Sequence, residues 1–319
     1  MKRILSLLVA LLLLSGCTAD YGAAQPPSES VTIAVLLKSM GNPHWQEMRN
    51  GLQDAAAQYG VELILLYPEN ETDVNQQSMI FRDILDQKPD ALLWSPCDSL
   101  LGPQMALLAE QAGVPLFTVD TRADGTRVPF IGVDNKQVGV MAAEYLLEAS
   151  DYSGQYAVIT GPQSQSSHFD RAGGFLSTVR QYPNVDIVAI RYTDSDFDSG
   201  MQATQDILAL YPDLDCIFCT SAVMSLGAAE QVKAAFRQNT IKIATVDTQP
   251  DALAAVSNGL LSALVTQDGY AIGYTAIETV LDSLSGEPVA QNIYLPIELI
   301  TRENVEDFTE QYLQRRGFL

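Results

Sequence analysis

The sequence predicts an α/β protein made of two doubly wound parallel-sheet lobes joined by a hinge, with a ligand cleft between them. Short apolar runs alternate with helical segments at intervals of roughly 25–30 residues, the pattern of parallel strands joined by helices. The chain has 319 residues, which suits two lobes better than one core. The run RVPFIGVD at 127–134 is strand-like but has no helix of its own before it. We place the break between the lobes there.

Nine apolar runs predict the strands. The first run ends in a polar turn that contains Asn42, and Pro43 follows where a helix can begin, since the first helical turn does not need its missing N–H. Gly60, Gly113 and Gly259 stand at positions where helix C-caps belong. The predicted strands cover residues 31–37, 61–66, 91–94, 115–119, 156–160, 186–190, 216–219, 241–246 and 262–266.

The segments between these strands have helical periodicity. In one of them, Val138, Met141, Ala142, Tyr145 and Leu146 follow the spacing of a helix that packs on a sheet. The predicted helices cover residues 44–59, 74–87, 103–112, 137–149, 168–181, 200–210, 224–236, 252–258 and 271–284. We expect the first lobe to contain residues 31–133 and 268–294, and the second lobe to contain residues 134–267 and 295–319.

The first 17 residues predict a lipoprotein signal peptide. Lys2 and Arg3 are followed by an apolar segment at 4–14 that is too short to span a bilayer. The small residues before Cys17 resemble the bacterial lipobox, in which the cysteine becomes the lipidated first residue; an ordinary signal peptide with a chance cysteine is the alternative. Residues 18–30 lack apolar periodicity and predict a flexible tether. We therefore expect an extracytoplasmic protein, lipid-anchored on the periplasmic side of a membrane or at the cell surface.

Charge and cysteine usage exclude several classes of function. The formal net charge of −21 argues against nucleic acid as a partner, because phosphate backbones need clustered Lys and Arg. Besides Cys17, the cysteines are Cys97, Cys216 and Cys219, and this odd number does not indicate a disulfide framework. Cys216 and Cys219 fall in a strand-like run, where they face opposite sides. We expect three core cysteines and no zinc site.

Polar side chains follow the predicted strands at the point where each strand ends. In an open α/β sheet, these carboxyl ends line the ligand-binding crevice. Asp120 and Asp247 each follow a buried strand directly, although either could instead cap a helix. Trp45 could likewise belong to the core. The polar and aromatic residues after successive strands include Asn42, His44, Trp45, Ser95, Asp120, Arg171, Asp194, Asp196, Phe197, Ser221, Asp247 and Gln267.

Catalytic motifs are absent from the sequence. The chain has two histidines, His44 and His168, and neither stands in a recognisable Ser/His/Asp arrangement. Metalloprotease and phosphate-loop motifs do not occur either. Asp120 and Asp247 could in principle form a glycosidase carboxylate pair, but acceptors fixed at strand ends are as useful for binding. We expect no enzyme, no cofactor and no metal.

Seven short motifs follow one another between residues 31 and 308. They are MGNPHW at 40–45, FTVD at 117–120, HFDRAGGF at 168–175, FD at 197–198, ATVD at 244–247, LVTQ at 264–267 and LPIELIT at 295–301. Their order and spacing resemble the type I periplasmic sugar-binding proteins of ABC importers, the ribose- and galactose-binding group.

The resemblance implies a role for each matched residue. In the family, the first turn provides an Asn and ring side chains that contact sugar, matched here by Asn42, His44 and Trp45. The strand-end residues Asp120 and Asp247 match ligand aspartates. Arg171 matches an arginine that clamps sugar hydroxyls, Phe197 a stacking phenylalanine and Gln267 a ligand glutamine. The ligand-binding set that we predict is Lys38, Asn42, His44, Trp45, Ser95, Asp120, Arg171, Phe197, Ser221, Asp247 and Gln267.

The chain also departs from the family pattern. Ser221-Ala222 stands where the family often has Asn-Asp, Ser95 where it often has Asn, and Thr121 where Arg often follows the Asp. These replacements put shorter polar side chains on both lobes, which suggests a sugar that is larger than ribose or has fewer oxygens. Lys38 in the first turn looks like the autoinducer-2 receptors of the superfamily, but those lack a match to Arg171.

The resemblance implies a monomeric binding protein that captures a neutral sugar or related polyol by hinge closure. It would deliver the sugar to the membrane subunits of an ABC permease. Two alternatives stay open on the sequence. One is a receptor subunit that presents its ligand, including an autoinducer-2-type ligand, to a sensor kinase or chemoreceptor. The other is an extracytoplasmic glycoside hydrolase.

Overall fold

A computed structural model of the protein describes residues 30–315. The predicted signal peptide with Cys17, the tether before residue 30 and residues 316–319 lie outside the described residues. Within residues 30–315, no helix combines the length and the apolar character that crossing a membrane requires.

Two six-stranded sheets carry the fold, one in each lobe. Neighbouring strands pair in parallel throughout the described sheets, except that one edge strand of the second sheet runs antiparallel to its neighbour. In spatial order, the first sheet contains β11 (Asn292–Tyr294), β5 (Phe130–Gly132), β4 (Leu116–Val119), β3 (Ala91–Trp94), β1 (Thr32–Leu36) and β2 (Glu62–Leu66). The second contains β12 (Leu299–Thr301), β10 (Ala263–Val265), β9 (Lys242–Val246), β8 (Leu214–Cys219), β6 (Gly154–Thr160) and β7 (Val185–Tyr192).

Helices connect the strands and cover the sheets. A short 3-10 helix, Ser99–Leu101, precedes the third of them. They are α1 (Pro43–Tyr59), α2 (Val74–Asp86), α3 (Gly102–Ala112), α4 (Asn135–Ala149), α5 (Ser166–Val179), α6 (Phe197–Leu210), α7 (Ala222–Ala234), α8 (Pro250–Ser257), α9 (Gly269–Leu284) and α10 (Val305–Arg315). The predicted fold class, two doubly wound parallel-sheet lobes, is confirmed.

The chain passes from one sheet to the other after β5, after β10 and after β11. The motif at 295–301 lies in the last passage and joins the two sheets. Leu295 N donates to Gly132 O of the first sheet at 2.8 Å, and Thr266 N of the second sheet donates to Glu298 O at 2.8 Å. Within residues 295–301, only the part that forms β12 therefore pairs as a strand. These passages support the predicted lobe limits, which stay a prediction.

Local chemistry explains the other differences from the sequence analysis. Helix α6 begins at Phe197, before the predicted residue 200, because the Asp196 side chain caps it: Ser199 N donates to Asp196 Oδ1 at 2.7 Å. The sequence analysis missed β11, a three-residue edge strand. It also missed α10, whose apolar side chains are widely spaced among charged and amide residues.

The cysteines lie where strand alternation predicts. Cys216 packs in one apolar cluster with Phe218, and Cys219 packs in another with Ile217, so the two thiols occupy opposite faces of β8. Cys97, Cys216 and Cys219 are all buried free thiols. Burial raises the pKa of the Cys216 thiol to about 12, which makes it an inert core residue.

Candidate functional site

A small cavity of about 20 Å³ lies where the carboxyl ends of the two sheets face each other. This volume is close to that of one water molecule. Nine of the eleven predicted ligand-binding residues line it: Lys38, Asn42, His44, Trp45, Asp120, Arg171, Ser221, Asp247 and Gln267. The structure therefore brings these nine residues from six separate segments, spread over most of the chain, into one place.

The first turn of α1 positions three of the lining side chains. The Asn42 side chain caps the helix, because His44 N donates to Asn42 Oδ1 at 3.0 Å. His44 Nε2 lies 2.9 Å from Asp120 Oδ2. Trp45 Nε1 donates to Glu71 Oε1 at 2.7 Å. Trp45 is buried in the apolar core and also lines the cavity.

The Asp120 carboxylate collects three donors. Besides His44, Gln267 Nε2 donates to Oδ2 at 2.7 Å and Thr121 Oγ1 donates to Oδ1 at 2.8 Å. Burial opposes ionisation, but the hydrogen bond and charge of His44 and the charge of Lys38 outweigh it. They hold the pKa of Asp120 well below its usual range. Asp120 is thus a fixed, ionised acceptor.

Arg171 joins the second lobe's side of the cavity into one network. From α5, its Nε donates to Asn135 Oδ1 at 2.7 Å, one terminal nitrogen donates to Thr220 O at 2.8 Å, and the other donates to Gln267 Oε1 at 2.5 Å. The Asp247 carboxylate lies 3.7 Å from the guanidinium. The buried guanidinium therefore donates a hydrogen bond through each of its three nitrogens.

Neither strand-end aspartate caps the helix that follows it, so the helix-cap alternative is wrong for both. The next helix after Asp247 is α8, and its N-cap is Gln249. Asp247 Oδ2 instead accepts from Ala222 N, at the start of α7, at 3.2 Å. Asp120 and Asp247 have φ angles of 66° and 87°, and Ser195, which also lines the cavity, has 67°. L residues rarely adopt this conformation, and such strain is characteristic of functional sites.

Lys38 is fully buried beside the cavity. Its Nζ donates to Gln165 Oε1 at 2.7 Å and lies 5.4 Å from the centre of the Trp45 ring. Burial lowers the pKa of Lys38, although the charges of Asp120 and Glu71 oppose that shift. Gln165 Nε2 in turn donates to Glu71 O at 3.0 Å. Lys38 and Glu71 of the first lobe are thus both bonded to one side chain of the second.

Residues 164–167 of the second lobe form further hydrogen bonds across the cleft. Ser99 N donates to Ser164 O at 2.8 Å, and Ser166 N donates to Ser99 Oγ at 3.0 Å. Arg122 N donates to Ser166 Oγ at 3.0 Å. The two lobes therefore touch directly beside the cavity, which is a closed arrangement.

Two predicted residues do not line the cavity. Ser95 is completely buried, and its carbonyl oxygen accepts from Gln77 Nε2 at 2.8 Å in the loop behind the site. Phe197 is 42% exposed and lines a separate groove at the edge of the cleft. The reason is that α6 starts at Phe197, which holds this residue at the helix end outside the cavity.

The sequence analysis missed four lining residues, Glu71, Ser167, His168 and Ser195. Glu71 is buried, and burial raises the pKa of its carboxyl. A signal for Glu71 was present in the sequence, because the residue stands in the polar run after β2. His168 bonds to Thr220 Oγ1 at 2.8 Å and to Ser195 Oγ at 3.1 Å. Within residues 30–315, no group of His, Cys, Asp or Glu side chains has an arrangement suited to a metal ion.

The two histidines are expected to affect stability with opposite pH dependence. Burial lowers the pKa of His44, but the hydrogen bond from its ring to Asp120 outweighs burial and raises it. The contribution of His44 to the free energy of unfolding is therefore complete below the ordinary histidine pKa of about 6.5. It is lost as the pH rises through the pKa of His44 in the folded protein. Burial lowers the pKa of His168 well below 6.5. Its contribution is present above pH 6.5 and is lost as the pH falls, by about 1.4 kcal/mol per pH unit.

Urea unfolding of the wild type, His44→Gln and His168→Gln at pH values from about 5 to about 8 tests this expectation. The stability difference between wild type and His168→Gln should shrink as the pH falls below 6.5. The difference between wild type and His44→Gln should shrink as the pH rises above it. Parallel curves for all three proteins would contradict the expectation.

Comparisons with known proteins agree with this geometry. The family described as periplasmic binding protein domain matches residues 33–288, and the prokaryotic membrane lipoprotein lipid attachment site matches residues 1–18. A ribose import binding protein of Bacillus subtilis is 28% identical over 95% of this chain and 100% of its own length. A carbohydrate transporter solute-binding protein of Agrobacterium radiobacter, solved with D-arabinose, is 29% identical, with a TM-score of 0.84 over 89% of this chain and 99% of its own. A solute-binding protein of Actinobacillus succinogenes with bound D-allose is 26% identical, with a TM-score of 0.81 over 86% and 99% of the two chains.

Proposed function

Because the chain belongs to the periplasmic binding protein domain family, we propose that it captures a neutral sugar between its lobes and delivers it to an ABC permease. The sugar-binding relatives named above support the choice of ligand. The lipid attachment match supports an extracytoplasmic protein anchored to the membrane through Cys17. We further propose that it acts as a monomer and releases its ligand unchanged.

One observation carries the proposal: polar groups of complementary kinds converge in a single buried cavity from both lobes. Asp120 and Asp247 only accept hydrogen bonds when ionised, Arg171 only donates, and Asn42 and Gln267 do both. A polyhydroxylated ring both donates and accepts at every hydroxyl, so it can satisfy all of them. Hydrogen bonds to charged groups are also the stronger class.

The charges of the cavity favour a neutral ligand. The basic side chains Lys38, His44 and Arg171 stand against the carboxyl groups of Glu71, Asp120 and Asp247. A phosphate or carboxylate ligand would therefore meet no excess of positive charge. Ser221 Oγ is buried, lines the cavity and has no hydrogen-bond partner among residues 30–315, which leaves it free for a ligand hydroxyl.

Hinge closure explains why the cavity is so small. With about 20 Å³ of space, the site residues bond to each other, as Gln267 does to both Asp120 and Arg171. A sugar has to enter while the lobes are apart and then replace these bonds with its own hydroxyls. The difference between its affinities for the closed and the open state then decides how far the equilibrium shifts toward closure.

Titration calorimetry with a panel of neutral monosaccharides, matched sugar acids and sugar phosphates tests the proposal. At least one neutral sugar should bind, and its acid and phosphate derivatives should not. Asp120→Asn should weaken that binding about 10- to 100-fold, because a charged acceptor of ligand hydroxyls is lost.

Asp124→Asn serves as the matched control, because this nearby aspartate is exposed and lies outside the cavity. It should bind the sugar as the wild type does. Preferential binding of a sugar phosphate, or equal affinity in Asp120→Asn and wild type, would contradict the proposal. Conversion of the bound sugar to a product would show a hydrolase instead.

A further inference from the structure

A groove of about 590 Å³ opens directly beside the small cavity. Its first-lobe wall comes from the loops after β1 and β2, and its second-lobe wall from the loop that leads into α6. Asn42, Glu71 and Ser195 line both the groove and the cavity. The two spaces are therefore neighbours that share three polar residues.

The groove has acceptors that nothing in the described chain uses. Within residues 30–315, the carboxylates of Glu69, Asp194 and Asp198 line the groove and form no hydrogen bond or ion pair. The Asp196 carboxylate differs, because it caps α6. Among the described residues, 30–315, no Lys, Arg or His lines the groove.

An apolar wall accompanies these acceptors. Phe197 is 42% exposed and lines the groove together with Val223. An aromatic face beside fixed carboxylates suits a sugar ring, whose C–H groups pack on the aromatic face while its hydroxyls donate to the carboxylates. Amide and hydroxyl side chains in the same wall, such as Asn70 and Thr72, supply donors. A ligand amine would have no use for such donors, and a polyhydroxylated ring does.

We propose that the groove is a second sugar subsite, so that the ligand is a disaccharide or glycoside with one ring in the cavity and the next in the groove. This inference rests on the proposed function and specifies its ligand class. The groove volume falls in the range of small-molecule sites, about 300–1,000 Å³. The cavity is much smaller, so a ligand group can enter it only by displacing the hydrogen bonds between its lining residues. A substituent on the first ring reaches the groove past Asn42, Glu71 and Ser195.

Calorimetry with two sets of probes tests the subsite. The monosaccharides are ribose, glucose and galactose, and the disaccharides are maltose, cellobiose, lactose and melibiose. At least one disaccharide should bind more tightly than its component monosaccharides. In Phe197→Ala and in Asp198→Asn, the ratio of disaccharide affinity to monosaccharide affinity should fall about three- to tenfold.

Phe236→Ala is the matched control, because Phe236 is 88% exposed and lies outside the groove. It should leave the ratio unchanged. Binding of monosaccharides but of no disaccharide would overturn the subsite and leave the proposed function intact. An unchanged ratio in both groove variants would do the same. Binding of 2-aminoethyl glucoside in preference to every neutral disaccharide would show a cation site instead. Failure of all sugars to bind would refute the proposed function and the subsite with it.

Discussion

Replacing Arg171 by alanine is expected to weaken sugar binding strongly and to destabilise the fold. The guanidinium makes three buried hydrogen bonds, to Asn135, Thr220 and Gln267, and lies beside the Asp247 carboxylate. Its removal leaves a buried carboxylate without its cation, which costs about 3–5 kcal/mol of unfolding free energy. It also removes a charged donor to ligand hydroxyls, and affinity should fall by about 100-fold or more.

Arg180→Ala provides the matched control for this variant. Arg180 stands at the C-cap of the same helix, α5, and is exposed. Its replacement should change neither the urea midpoint nor the affinity by a measurable amount. Arg171→Lys separates charge from geometry, since lysine keeps the charge but cannot reach three partners in a planar fork. Equal sugar affinity in Arg171→Ala and Arg180→Ala would show that Arg171 does not contribute to sugar binding.

Two adjacent glycines in α5 are expected to respond in opposite directions to the same substitution. A Cβ at Gly174 would lie 2.1 Å from Lys136 O, at the start of α4, whereas a Cβ at Gly173 would meet nothing within 4 Å. Gly173→Ala should therefore stabilise the protein by about 0.5–1 kcal/mol through helix propensity. Gly174→Ala should destabilise it by about 1–3 kcal/mol, because α4 and α5 must move apart.

This helix contact also connects stability to binding. Gly139 of α4 packs equally closely on the backbone of Arg171, where a Cβ would lie 2.0 Å from Arg171 O. Separation of α4 and α5 should therefore displace the Arg171 guanidinium and weaken sugar binding in Gly174→Ala. Urea midpoints and calorimetry on both variants measure the two effects. Equal stability of the two alanine variants would contradict the close packing.

Part of the cavity could be predicted from the sequence, because several of its residues are the first polar residues after buried strands. Asp120 and Asp247 come directly after β4 and β9, and parallel strands bring such ends to one edge. Phe197 could not be placed in this way. Its position depends on where α6 begins, and the Asp196 cap shifts that start by three residues from the predicted one. Glu71 was not predicted, although it stands in the polar run after β2, where the same rule applies.

The hydrogen-bond partners of the ionisable side chains could not be predicted from the sequence either. Lys38 bonds to Gln165, which lies 127 residues away, and His44 bonds to Asp120 over a separation of 76 residues. Periodicity and turn residues report on neighbours within a few positions. Contacts between lobes depend on how the hinge segments cross, which no local pattern encodes.

The sequence by itself determined the two-lobed α/β fold, the strands that carry it and the identity of several cavity residues. These follow from apolar periodicity and from the polarity of strand ends, which are local properties of the chain. The tertiary structure decided that Lys38 is buried against Gln165, that Glu71 joins the cavity, and that Phe197 lines the neighbouring groove. The physical reason is that burial and hydrogen-bond partnership across the cleft arise only when two separately folded sheets meet.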